Sequence, residues 1–352
     1  MCDRRQQARQ YVRLVRHHGR IRVLGEWPKG GRPGRKGGME RVLLDLFGLP
    51  EVLCRRLEAL DATLRIVHGK HRERAVDEEL PRAQIIVGWP AKADLDRATG
   101  LRWLQLPSAG ADGYAGKMPG GVILTNARGV FGVPIAEHVL AMMFALAIRL
   151  PEMVRSQEQK RWHRPENRRE LLGATCMIIG LGDIGSEVAK RARAMGMHVI
   201  GVKRTVSAMP SYVDELATLG ALDSLLPRAD HVVLALPGTV HTRYIISAER
   251  IGLMMPGACV YNVGRGSAID QQAMIEALLA GRLGGAGLDV FDPEPLPADS
   301  PLWAMPNVIV TPHVSGHSPY HARRFGELME RNFRHLIAGE ALVNQVDPQW
   351  GY

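Results

Sequence analysis

Gly180, Gly182 and Gly185 stand in "GLGDIG", directly between an apolar run, "ATCMIIGLG", and a helical stretch, "SEVAKRARAMG". A strand that enters a helix through GxGxxG restricts the fold more than any other segment of the chain. The glycines permit a tight turn, the approach of a pyrophosphate to backbone N–H groups at the helix N-terminus, and close helix–strand packing. Gly180, Gly182, Asp183, Ile184 and Gly185 are thus read as a dinucleotide-binding loop. A lone GxGxxG is weak, so its surroundings decide. "HVIGVKR", a helical "ALDSLLPRA", "HVVLALPG", "ACVYNVGRG", a helical "DQQAMIEALLAG", "GAGLDVF" and "NVIVTPH" follow. Short apolar strands separated by helices predict a parallel, doubly wound sheet covered on both faces.

Upstream, "ERVLLDLFG", "TLRIVHG", "AQIIVGW", "RWLQLPSAG" and "GVILTNARG" repeat the theme. They predict a second, smaller α/β domain. The expected division is a tail over 1–38, a smaller domain over 39–130 and 320–352, and a dinucleotide-binding domain over 131–319. The span from Pro134 to Trp162 reads as a long helix, broken or bent at Pro151, that could join the two.

The formal charge of +9 invites a nucleic-acid reading until its position is checked. Residues 1–38 hold eleven Lys or Arg against Asp3 and Glu26, which accounts for all of it; the remaining 34 bases and 34 acids cancel. Nucleic-acid binding, if any, therefore belongs to the tail. "PKGGRPGRKGG" cannot form a core, and the stretch before it suits a basic amphipathic helix or an appended start without function. "VLAMMFALAI" is shorter than the roughly 20 residues of a membrane span. Cys2, Cys54, Cys176 and Cys259 have neither disulfide nor metal-ligand spacing, so no metal is expected and a reducing cytoplasm fits.

In an open parallel sheet the ligand crevice lies at the carboxyl ends of the strands. Four late strands end there in "ALPGT", "NVGRG", "LDVFDPEP" and "TPHVSGH". Arg265, Asp289, Glu294 and His313 are thereby expected to converge beside the cofactor. Taken singly, each also reads as an ordinary turn cation, loop acid or core histidine.

These motifs, with "AGADGY" and "GVPIAEHVLAMM", resemble the D-isomer-specific 2-hydroxyacid dehydrogenase family from about Met39 to Tyr352. The resemblance implies a Rossmann dinucleotide-binding domain and a smaller flavodoxin-like substrate domain, with the active site in the cleft and a homodimeric assembly. It implies Arg265, Glu294 and His313 as the catalytic set. A protonated imidazole delivers a proton to the developing alkoxide, a carboxylate on its far nitrogen fixes the tautomer, and a guanidinium holds the substrate carboxylate. By the same resemblance Asp289 orients the nicotinamide, Val263, Pro237 and Thr242 belong to the cofactor loops, and Val87 and Gly88 offer N–H groups to substrate. Trp89 either walls the substrate's side-chain pocket or packs between domains.

The family's ribose-binding acid falls 18 residues after the third glycine, which is Lys203 here. Lys203 and Arg204 cannot accept bonds from ribose hydroxyls but pair with a 2′-phosphate, to which Thr205 and Ser207 could add hydroxyl donors. NADP(H) is the expected cofactor, preferred over NAD(H). The function read from the sequence is NADPH-dependent reduction of a small 2-keto acid: glyoxylate, hydroxypyruvate, or a larger one. The same Arg, Glu and His set also serves phosphite oxidation, so a phosphite dehydrogenase is an alternative; a non-enzymatic co-repressor that shares the fold and uses the dinucleotide as a ligand is another, and the basic tail could suit its binding role.

Overall fold

The computed structural model describes residues 40–69, 74–205 and 208–352. The basic tail and Ser207 lie outside them. The described chain forms two compact units, one ending at Ala127 and resuming at Phe325, the other running from Arg128 to Arg324. Both crossings fall close to, but not at, the expected 130/131 and 319/320. The second falls within a helix, because helix formation resumes at His321 straight after the Ser318–Tyr320 turn.

The first unit carries β1 (Arg41–Asp45), α1 (Glu51–Leu60), β2 (Leu64–His68), α2 (Arg74–Glu79), β3 (Ile85–Val87), α3 (Lys92–Arg97), β4 (Trp103–Gln105) and β5 (Ile123–Thr125). Its sheet runs β2-β1-β3-β4-β5, and all its ladders are parallel. Strand order reverses between β1 and β3, where the loops leaving those strands meet. A Cβ on Gly88 would lie 2.8 Å from that of Leu46, and the Phe47 and Trp89 rings are edge to face at 5.6 Å.

The second unit begins with α4 (Gly132–Ala147) and α5 (Leu150–Glu158), followed by β6 (Thr175–Ile179), α6 (Asp183–Ala194), β7 (His198–Lys203) and β8 (Glu215–Thr218). It continues through α7 (Leu222–Leu225), β9 (His231–Leu234), α8 (Ala248–Leu253), β10 (Cys259–Asn262), α9 (Gln271–Leu279), β11 (Gly285–Leu288) and β12 (Val308–Val310), and the chain then enters α10 (His321–Ala338). Seven parallel strands lie in the order β12-β11-β10-β9-β6-β7-β8. Successive side chains alternate between two cores, as a sheet covered on both faces demands. Met177, Ile179, Val232 and Leu234 enter one core; Cys176, Ile178 and Val233 enter the other.

Two expectations need correction. The Pro134–Trp162 span lies wholly within the second unit and does not join the two. It also bends by 71° before Pro151, not at it. Arg149 takes a left-handed conformation with φ 58°, ending α4, and Pro151 sits in the first turn of α5, where its missing N–H costs no helical bond. Among the described residues no single helix is long and apolar enough to cross a membrane.

Candidate active site

The glycine loop leaves β6 at the point where strand order reverses. Gly180 has φ +100°, and a Cβ there would meet Ala235 O, in the loop after β9, at 2.4 Å. A Cβ on Gly185 would meet Gly180 O at 2.1 Å, so α6 packs against its own loop only through glycine. Gly182 differs: it is exposed, and nothing lies within 4 Å of its missing Cβ. That open space beside the first turn of a 12-residue helix fits a dinucleotide pyrophosphate on backbone amides. Ile184 is half-buried in the same turn. Asp183 turns away, its carboxylate accepting from Gly129 N at 3.0 Å, so it braces the loop instead of facing a phosphate.

Lys203 closes β7 half-buried, with Arg204 and Thr205 exposed beyond it. Pro237 and Thr242 shape the loop after β9. The Thr242 hydroxyl is buried, accepts from Thr239 N at 2.9 Å and donates to Pro237 O at 2.7 Å, so it is spent within the loop. Thr242 thus shapes the cofactor loop, as expected of a loop residue, but its hydroxyl proton is not available to a phosphate oxygen.

Arg265 follows β10 in a turn wedged between neighbouring loops. The Asn262 carboxamide accepts from Gly264 N at 3.1 Å and donates to Arg265 O at 2.8 Å. Val263 is buried, its N–H bonded to Leu234 O at 3.1 Å. A Cβ on Gly264 would strike Leu236 O at 2.6 Å, and one on Gly266 would strike the Phe291 carbonyl carbon at 1.9 Å. The Arg265 guanidinium, half-buried, donates to Gly264 O at 2.7 Å.

The acid–imidazole pair is formed. Glu294 takes Phe291 N on Oε1 and His313 Nδ1 on Oε2, each at 2.9 Å. With an ionised carboxylate on that side, Nδ1 carries the proton, and Nε2 has no partner among the described residues. His313 itself sits at φ +54°, a conformation that a non-glycine residue holds only when its surroundings impose it. Asp289 lies directly beneath, fully buried.

In the first unit, Val87 ends β3 and Trp89 is 52% exposed, its indole N–H reaching Ser108 Oγ at 3.3 Å. Gly88 requires correction as an N–H donor to substrate, because its amide donates to Gln105 O at 3.0 Å and extends the ladder to β4. The next amide, that of Trp89, has no partner among the described residues. Sequence reasoning missed one pair here. Asp45 and His68 are partners across β1 and β2, with His68 Nδ1 2.8 Å from the buried carboxylate. The signal was weak, since each is a single polar residue at the end of an apolar run.

Burial pushes the Cys54 thiol up to about 11 and Cys176 to about 12, so neither is poised as a nucleophile. Among the described residues no group of three or more His, Cys, Asp or Glu side chains is placed to hold a metal ion.

Residues 140–315, which contain the glycine loop, Arg265, Glu294 and His313, match the family model described as D-isomer specific 2-hydroxyacid dehydrogenase, NAD binding domain. A glyoxylate reductase of Pyrococcus furiosus is 32% identical over 312 residues, which cover 84% of this chain and 85% of that one. The chain belongs to the D-isomer specific 2-hydroxyacid dehydrogenase family. A D-3-phosphoglycerate dehydrogenase of Methanocaldococcus jannaschii is 35% identical over 228 residues, covering 64% of this chain but only 43% of that relative's length. Among solved structures, a family member from Xanthobacter autotrophicus Py2, in complex with NADPH and MES, aligns with a TM-score of 0.77 at 30% identity over 90% of this chain and 100% of that one. The two parallel-sheet domains are thus this family's architecture.

Proposed function

We propose that the chain reduces a 2-keto acid to a D-2-hydroxy acid with NADPH. The observation that carries this reading is the His313–Glu294 pair, whose outer nitrogen is open at the carboxyl edge of a sheet that also bears the glycine loop and Arg265. NADPH supplies the hydride when bound. His313 gives a proton from Nε2 to the carbonyl oxygen as it becomes an alkoxide, and Glu294 stabilises the resulting orientation through Nδ1. Arg265 holds the substrate carboxylate and polarises the carbonyl. The balance is one keto acid, one NADPH and one proton giving one hydroxy acid and one NADP⁺.

Lys203 and Arg204 support the choice of cofactor. They end the strand where an acidic residue would select ribose hydroxyls, and each charge-assisted bond to a 2′-phosphate contributes about 1.5–3 kcal/mol, enough for a tenfold preference. The NADPH complex of the Xanthobacter relative supports the same reading. Glyoxylate and hydroxypyruvate, or larger 2-keto acids, are the proposed substrates, and the glyoxylate reductase relative points to the smallest. In the first unit, the carboxyl edge around Trp89 is its proposed substrate-binding side. We also read the protein as a cytoplasmic homodimer; Phe144, Val154 and the 91% exposed Trp162 leave apolar surface for a second copy.

NADPH and NADH oxidation across a panel of 2-keto acids, with phosphite as a control reductant for NADP⁺, tests the proposal. The expected kcat/KM ratio favours NADPH by about tenfold or more. Lys203→Asp combined with Arg204→Ser reverses it, and His313→Gln collapses kcat while cofactor affinity holds. Comparable values for the two cofactors would remove the NADP assignment, and turnover of phosphite alone would remove the keto acid.

A further inference from the structure

Asp289 has no acceptor capacity left for a cofactor. It is 0% exposed at the end of β11. Oδ1 accepts from Thr311 Oγ1 at 2.6 Å and from Val314 N at 2.9 Å. Oδ2 accepts from Ser315 N at 3.1 Å and from the Ser315 hydroxyl. A carboxylate offers about four lone-pair positions, and these four donors fill them. All four come from the segment Thr311–Ser315, whose middle residue is His313 at φ +54°. The His313 N–H donates to the Asp289 carbonyl at 2.9 Å, so backbone and side chain of one residue hold both flanks of the turn.

The anchorage extends outward. His138, on α4, has Nε2 3.0 Å from Thr311 Oγ1. The threonine hydroxyl has one proton, which goes to Asp289, so the imidazole nitrogen is the donor and Nε2 carries hydrogen. A chain of oriented bonds therefore runs from α4 through Thr311 to the carboxylate under His313. Glu294 fixes the ring of His313; Asp289 fixes the backbone that carries the ring.

We infer that Asp289 is the positioning residue of His313, acting with Thr311, Ser315 and His138, and that it is not a nicotinamide ligand. The inference rests on the proposed role of His313 as acid and departs from the role that family resemblance implies for Asp289. Left-handed backbone at a non-glycine residue is retained where neighbours over-determine it, and sites of chemistry are where such strain collects. Removing the carboxylate frees the turn, and a proton donor displaced by an ångström loses turnover without losing cofactor.

The experiment compares Asp289→Asn, Thr311→Val, Thr311→Ser and Ser315→Ala with the parent chain. Four readouts are taken: kcat, NADPH affinity by fluorescence titration, the rate ratio between NADPH and its 3-acetylpyridine analogue, and hydrogen–deuterium exchange over 308–318. The analogue lacks the carboxamide NH₂ that an acceptor at the nicotinamide would bind. Expected are a fall in kcat of about tenfold or more for Asp289→Asn and Thr311→Val, and NADPH affinity within about twofold. Thr311→Ser, which keeps the hydroxyl, retains parental turnover. The analogue ratio stays unchanged in Asp289→Asn, and the amides of Val314 and Ser315 exchange faster. An analogue preference abolished by Asp289→Asn overturns the inference, as does parental kcat in Thr311→Val. If the parent chain reduces no 2-keto acid, the proposed function fails on its own. Exchange then still decides the positioning role: unchanged protection of Val314 and Ser315 in Asp289→Asn overturns it. Should Asp289→Asn not fold, Thr311→Val and Ser315→Ala carry the same comparison.

Discussion

Asp45 and His68 are paired through a single hydrogen bond, yet they have very different weights. Asp45 is buried, and its oxygens accept from Phe47 N, Gly48 N and Leu49 N at 3.0, 2.8 and 2.7 Å as well as from His68. It therefore sets the course of the loop that brings Phe47 against Trp89. His68 is largely exposed, and an exposed partner contributes only about 0–1 kcal/mol. Asp45→Ala strands three loop amides, each costing about 1–3 kcal/mol if left unsatisfied, so a loss of about 3 kcal/mol or more is expected, against less than about 1 kcal/mol for His68→Ala. Urea denaturation of the two variants checks this, and equal midpoints would show that the amides find other partners. Neither residue stands out in sequence: the pairing depends on the register of β1 on β2, which joins positions 23 residues apart.

The strand–loop–helix element from β6 to α6 separates a glycine that faces open space at the helix N-terminus from a glycine that the packing itself requires. Gly182→Ala meets nothing within 4 Å, so stability stays within about 0.5 kcal/mol while NADPH affinity falls by about tenfold or more, the new methyl occupying the approach to the helix amides. Gly185→Ala drives a Cβ to 2.1 Å from Gly180 O, and a loss of about 1–3 kcal/mol is expected from overpacking. Thermal melts and cofactor titration separate the two; a fold-destabilising Gly182→Ala would contradict the division. This element was legible in sequence because its conformation is local, with glycines, strand and helix contiguous. The placement of Arg265, Glu294 and His313 was legible because each follows a strand, and parallel order gathers strand ends on one edge. Beyond the Glu294–His313 pair, what stayed hidden was the partner of several polar groups. The Gly88 N–H is taken by the neighbouring strand β4 and the Asp289 carboxylate by the loop after β12, neither of which a local pattern specifies, while the Thr242 hydroxyl is spent on the backbone of its own loop. The α4–α5 bend was misplaced for a related reason. Proline marks a boundary, but it fits the first turn of α5 and leaves the reversal to Arg149.

At the scale of the molecule, the loops that carry the proposed chemistry leave the carboxyl ends of the seven-stranded sheet, while its opposite end buries an ionisable group with no part in that chemistry. His231 opens β9 between Cys176 and Cys259, its cross-strand partners, and its Nδ1 lies 3.0 Å from the Tyr261 hydroxyl. Burial is the main cause that pulls this imidazole from 6.5 down to about 4, with Asp230 opposing and Arg169 assisting. The folded protein thus holds His231 neutral across a range in which the unfolded chain protonates it. Because the unfolded state binds the extra proton, stability rises with pH there. The contribution is fully present above pH 6.5 and is lost as pH falls toward about 4. With about 1.4 kcal/mol for each tenfold difference in proton affinity between the folded and unfolded imidazole, the loss amounts to about 3 kcal/mol. Replacing His231 with Asn removes the titration, so the variant is less stable at neutral pH but loses less on acidification. Denaturation curves at the two ends of that pH range, for both proteins, measure the difference. Parallel losses in the two would mean that His231 is already accessible to protons in the folded state.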